Sequence, residues 1–233
     1  MYNRDYLSNQ SSQYTQESSQ VQLMSFLKAT YQLFAGSLLA ATAGAYIGLG
    51  IVSILMGPMK WVLFGLELVL IFFVIPKVKH TPGVNLAVLF AFTFITGLTI
   101  APLLTSIFAM PDGAAIVGQA FLMTSVAFGG ISMFAMTTKR DFSSMGKFLF
   151  IALIIMVVAG ISNIFIQSSM MQLIIASAGA LIFSAFILYD TQNIIKGHYD
   201  SPVEAALSLY LDFFNLFVSL LQILGIMNSG DKE

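Results

Sequence analysis

Seven apolar runs, set apart only by turn residues and short charged clusters, take up nearly everything from residue 26 to residue 227. They cover 26–56, 61–75, 84–110, 114–138, 146–166, 171–195 and 204–227. Segments of about 20 apolar residues match the thickness of a bilayer's hydrocarbon core. No water is available there to satisfy open backbone groups, so such segments must be helices. Charged residues are 9% of the chain and hydrophobic ones 58%, against about 25% and 45–50% in soluble domains. With so few polar groups to cover a surface, lipid is the solvent. The expectation is an all-α, seven-helix membrane bundle in one domain over 23–228, with a short tail at 229–233.

Residues 1–22 are different in kind. Runs such as Ser8-Asn9-Gln10-Ser11-Ser12-Gln13 offer almost nothing to bury, which predicts a disordered tail. No short apolar region with a cleavage site follows, so the first span is expected to be an uncleaved anchor. The net charge of −1 gives no reason to expect nucleic acid as a partner. The absence of cysteine excludes disulfides, thiol nucleophiles and cysteine-held metal centres. No cofactor is expected.

Eight of the ten Lys and Arg residues fall on one side of a seven-span topology: Arg4, Lys28, Lys77, Lys79, Lys139, Arg140, Lys147 and Lys196. Only Lys60 and Lys232 fall on the other. The positive-inside rule then predicts a cytoplasmic amino terminus and an external carboxyl terminus. In the first span Gly36, Ala40, Gly44 and Gly48 recur every four residues. That spacing makes a smooth face where a second helix can approach closely.

Few ionisable residues lie within the spans: Glu67 in the second, Asp190 in the sixth and Asp212 in the seventh. A charge at mid-membrane costs about 2.5–3.5 kcal/mol on insertion scales, so such groups face protein or water rather than lipid. At 1.5 Å per residue, Asp190 is about 7–8 Å and Asp212 about 12 Å from the same membrane face. On neighbouring antiparallel helices they can meet. Ser208, Asp212, Asn215, Ser219 and Gln222, spaced 4, 3, 4 and 3, form a helical stripe that suits a central helix. Two readings are open for this stripe. It holds either interhelical hydrogen bonds alone or a titrating, ion-binding site around Asp212. Two carboxyls close together in low dielectric cannot both ionise cheaply, so they share a proton. Once ionised they form a hard oxygen site suited to Ca²⁺. Glu67 can join that site or stand apart. Lys77 and Lys79, ending the second span, can latch onto Asp190 or contact lipid headgroups.

Tyr189-Asp190-Thr191-Gln192, followed by Leu209-Tyr210-Leu211-Asp212 and Asn215-Leu216-Phe217, resembles the Bax inhibitor-1 family. Glu67 and the run Gly97-Leu98-Thr99-Ile100-Ala101-Pro102 are also similar to it, and the likeness extends over about 31–227. This resemblance implies seven helices with the last one central. It also implies a pH-dependent calcium leak gated by the aspartates matching Asp190 and Asp212. In some bacterial relatives the implied role is instead a non-catalytic one, in which the protein binds and restrains a membrane protease. The family's basic residue at the end of the second span has only Lys77 or Lys79 to match it here. The basic tail of eukaryotic members is missing, which favours a bacterial inner-membrane protein.

Enzyme chemistry is not expected. An intramembrane aspartyl protease would use Tyr189-Asp190 as one half, but its second aspartate needs a Gly-x-Gly before it. Leu209-Tyr210-Leu211 stands there instead.

Overall fold

The computed structural model describes residues 2–230, with side-chain surroundings for 20–229. Seven membrane-length helices follow in order: α1 Tyr2–Gly50, α2 Met59–Val78, α3 Val84–Phe108, α4 Gly113–Thr137, α5 Gly146–Ile166, α6 Ser169–Ile195 and α7 Pro202–Gly230. No strand occurs among the described residues. Glycine or polar residues take up the positive-φ turns that reverse the chain, as at Gly83 (80°) and Asp112 (58°).

Helix α1 is drawn from Tyr2 through to Gly50, across the polar run that the sequence sets apart as a tail. Residues 2–30 contain neither glycine nor proline. Once a packed segment has nucleated a helix, each added residue propagates it at little cost. At the other end, α7 itself extends to Gly230, and 231–233 of the expected short tail lie outside the described residues.

The most buried span is α7, with 44% of its apolar window enclosed, against 6% for α2. It packs directly on α1, α3, α4 and α6, while α2 and α5 pack on α3 and α6. Tyr210, Leu209 and Leu221 of α7 are fully enclosed. Phe34, Phe128 and Phe213 bind α1, α4 and α7 together through ring contacts of 5.0–5.8 Å. Large apolar side chains such as Tyr46, Phe165 and Leu181 point outward, where lipid removes the penalty water would impose.

The small-residue face of α1 meets α3. A Cβ on Gly44 would lie 2.0 Å from the Phe94 carbonyl oxygen, and one on Gly97 would lie 2.0 Å from that of Ala41. The two backbones touch at glycine on both sides, so neither position accepts a side chain. Helix α2 is irregular: Leu70–Val74 widens into a π turn just ahead of Pro76. Proline lacks an N–H and crowds the preceding turn, and the wider turn re-registers the hydrogen bonds.

Candidate functional site

Loops α2–α3, α4–α5 and α6–α7 share one end of the bundle, which carries Lys77, Lys79, Lys139, Arg140, Lys147 and Lys196 and is here called the lysine-rich end. The motif at the end of α6 points its consecutive side chains in different directions, as 100° per residue requires. The Tyr189 hydroxyl lies against Gly146 at the start of α5, where a Cβ would be 2.5 Å away. Thr191 reaches Ser132 of α4 at 3.3 Å. Gln192 clips the α4–α5 loop, donating to the Arg140 carbonyl at 2.8 Å and accepting from the Phe142 N–H at 2.9 Å. Asp190 alone faces α7.

There it meets Asp212. The two carboxyls, 7% and 4% exposed, lie within hydrogen-bonding reach of each other. The Asn193 side chain, one turn on along α6, and Tyr199, in the loop that follows, are near Asp190. Oδ2 of Asp212 is buried without a hydrogen-bond partner among the described residues. Asp190 and Asp212 enter none of the ion pairs of the described residues. Two buried acids in contact, with no basic side chain paired to them among the described residues, can hold a proton between them or attract a cation.

Ser208, half-buried, lies one turn before Asp212 on the same face of α7. The rest of the stripe follows α6: Ser219 lies against Gly179, and Gln222 accepts from the Gln172 side-chain amide. Asn215 departs from that pattern and donates to the Leu211 carbonyl of its own helix at 2.8 Å.

Glu67 stands apart from the pair. Thr99 of α3 donates to it at 2.6 Å, beside a cavity of about 280 Å³ lined by Glu67, Thr96, Thr99, Leu103, Phe214 and Gln222. Tyr210, whose hydroxyl bonds Thr96 of α3, marks that side of α7. Positions 210 and 212 differ by about 200° around a helix, so Asp212 faces away.

Of the two openings left for Lys77 and Lys79, a latch to Asp190 or contact with lipid headgroups, Lys79 takes neither partner in the structure. Lys79 pairs with Asp200 at 3.1 Å and Glu204 at 3.4 Å, on the loop before α7 and its first turn, and does not pair with Asp190. Lys77 is exposed and enters no ion pair among the described residues. The stem of Lys79 places its charge at the membrane edge, whereas Asp190 lies a turn and more inside. The hydrogen bond with Asp200, and then the charge of Glu204, raise the Lys79 pKa above its ordinary value.

Sequence reasoning missed Tyr199 and Asn193. Asn193 is three residues after Asp190, on the same helical face, and that spacing was a usable signal. Its Oδ1 also meets His198 Nδ1 at 3.0 Å. Tyr199 sits in a loop, where no periodicity marks it. Burial, and then the nearby Asp190 charge, push its phenol well above the ordinary tyrosine range, so it remains a donor.

Comparison with known proteins covers almost the whole chain. Residues 23–229 match the family described as Inhibitor of apoptosis-promoting Bax1. A Campylobacter jejuni protein is 51% identical over 98% of this chain and 99% of its own length. A Vibrio cholerae membrane protein is 41% identical, covering 88% of this chain and 91% of its own. Mouse protein lifeguard 4 is 35% identical, covering 88% and 86%.

Proposed function

The chain belongs to the Bax inhibitor-1 family, and from that premise we propose that it is a pH-sensitive calcium (cation) leak channel gated at Asp190 and Asp212. The observation that carries this reading is the contact between two buried carboxyls on adjacent helices, with one oxygen left unpartnered. With a proton between them the two acids can touch. Without it, two charges in low dielectric repel each other and draw in a cation. Helices α6 and α7 carry the groups and would move with them.

The ion in this reading is cargo. Ca²⁺ takes six to eight oxygens, whereas the pair has two carboxylates with Ser208 and Asn193 nearby. No group of three His, Cys, Asp or Glu residues suited to a metal occurs among the described residues. An ion that keeps part of its hydration and passes on fits such a site better than a resident one. Glu67 and its cavity would be a second polar station on the route.

The remaining parts of the proposal concern setting. The bulk of Lys and Arg at one end supports a cytoplasmic amino terminus and an external carboxyl terminus, and the likeness to bacterial proteins supports a bacterial inner membrane. No enzymatic step is assigned to the pair. Lipid is the constant partner. The alternative function is that of a non-catalytic regulator binding other membrane proteins, such as a membrane protease, which would need no buried acid pair. Calcium flux into proteoliposomes holding only the purified chain separates the two. The channel reading expects flux that varies with pH, and a pure regulator gives none.

A further inference from the structure

Toward the end of the bundle opposite the lysine-rich one, two cavities follow each other along α3 and α7. The cavity beside Glu67, about 280 Å³, is lined by Thr96, Thr99 and Leu103 of α3 and by Phe214, Val218 and Gln222 of α7. The next, about 230 Å³, is lined by Leu103, Ser106 and Met110 and by Gln222, Ile226 and Ser229. Leu103 and Gln222 are the residues common to both linings, so they stand at the junction. The second cavity reaches the carboxyl-terminal end, where Ser106 and Ser229 are exposed.

Which face Gln222 offers at the junction is settled two helices away. Its carbonyl accepts from the side-chain amide of Gln172 on α6. The Gln172 carbonyl accepts from Nδ2 of Asn163 on α5 at 2.9 Å, and the Asn163 side-chain carbonyl accepts from the backbone N–H of Ser168 at 3.1 Å. A backbone N–H can only donate, so this first link orients all the others. Each side-chain amide has one oxygen and one NH₂, and turning any of the three would set donor against donor or oxygen against oxygen. Asn163 is buried, and the Ser168 hydroxyl caps α6 by accepting from the Met171 N–H, so the anchor of the chain is itself held. With its oxygen engaged, Gln222 has its NH₂ left for the junction.

We propose that Gln222 is the cation barrier between the two cavities, with Gln172 and Asn163 as the residues that position it: the amide chain turns its NH₂, rather than its carbonyl, toward the junction. A hard cation is held by oxygen, and an NH₂ group meets it with the positive ends of two N–H bonds. Leu103, the other residue at the junction, offers nothing polar. Breaking the bond to Gln172 would free the Gln222 carbonyl to turn inward and replace part of a cation's hydration. The consequence for calcium rests on the channel reading, while the barrier itself can be tested without it.

The natural lack of cysteine lets a single thiol report. Val218→Cys places it in the Glu67 cavity, beyond the junction, and Ser229→Cys places one at the exposed mouth. Each is labelled in proteoliposomes from the Ser229 side, with a cationic thiosulfonate and with an uncharged one of similar size. Gln172→Met, which keeps the length and removes the donor, should raise the ratio of cationic to uncharged labelling at position 218 about tenfold, the factor that one hydrogen bond corresponds to. Asn163→Leu, one link further back, should raise it in the same direction. Gln222→Met, which removes carbonyl and NH₂ together, should not raise it. Labelling at position 229 should be alike in all of them. An unchanged ratio in both Gln172→Met and Asn163→Leu overturns the barrier. So does a rise in Gln222→Met equal to that in Gln172→Met, which would leave packing as the cause. A raised ratio in a protein with no calcium flux would keep the barrier and refute the channel. An unchanged ratio beside pH-dependent flux would do the reverse.

Discussion

The ammonium of Lys79 lies 3.1 Å from the carboxylate of Asp200, tying the end of α2 to the loop that leads into α7. Its second partner, Glu204, belongs to the first turn of α7, where an acidic side chain also complements the helix dipole. Lys79→Gln should speed amide hydrogen exchange across 196–201. The charge swap Lys79→Asp with Asp200→Lys should slow it again. Exchange that ignores both changes would mean the ion pair restrains nothing. The folded-state pKa of Lys79 lies above its unfolded value, so its contribution is fully present below the ordinary lysine range and fades only as pH rises through the folded value. Lys79 itself should therefore give no step in exchange between pH 6 and 9.

At the opposite charge pair, Lys196 meets Asp141, which also accepts from Ser143. These contacts hold the Asp141 carboxyl well below its usual range, the hydrogen bond from Lys196 being the largest cause. A depressed folded pKa means stability present above the unfolded value and lost as pH falls through the folded one. The tie between the α4–α5 and α6–α7 loops should thus hold throughout the range used for flux. Asp141→Asn should loosen exchange at both loops equally at pH 5 and pH 8, and a loosening confined to one pH would contradict that assignment.

Gly44 gives the clearest stability prediction. A Cβ there would sit 2.0 Å from a backbone carbonyl, so α1 and α3 must part to admit it. Gly44→Ala should cost at least about 1 kcal/mol, within the usual range for overpacking, and Gly44→Leu more. Leu39→Phe, at a position 72% exposed, should stay within about 0.5 kcal/mol. Thermal melting in detergent compares them, and indistinguishable curves for Gly44→Leu and Leu39→Phe would remove the helix contact from the explanation of this fold.

Orientation is testable by single-cysteine labelling. Ser144→Cys should label from the cytoplasm and Ser229→Cys from outside, both positions being exposed. Ser201 looks equally suitable in the sequence, but it is 7% exposed and its hydroxyl accepts from the Val203 N–H at the start of α7, so it makes a poor reporter. Reversed labelling at 144 and 229 would invert the topology.

The spans, their order and the central place of α7 were legible because lipid imposes length, and because a polar stripe in an apolar helix can point only inward. The meeting of Asp190 and Asp212 was legible for the same reason, since depth follows from residue count. What surrounds them was not. Tyr199 and the Lys79–Asp200 pair belong to loops, whose conformation depends on tertiary contacts rather than periodicity. The separation of Glu67 from the pair depends on how α2 and α7 are rotated, which no residue count reveals. Asp200 also illustrates the limit: it reads as an inert loop acid in the sequence, yet it fastens α2, so Asp112, exposed at the other end, is the better control for mutations of the pair.

The most direct test of a shared, gating aspartate pair is a double-mutant cycle on calcium flux against pH in proteoliposomes. It compares the unaltered chain with Asp190→Asn, Asp212→Asn and the two together, with Asp112→Asn as control. If the carboxyls act as one titrating unit, either single change should shift or flatten the pH profile. The double change should then fall well short of the sum of the two effects, as expected for residues in contact. The control should match the unaltered chain. Should both single variants keep the original flux and pH profile, the pair is a structural contact and the gating mechanism proposed for it is wrong.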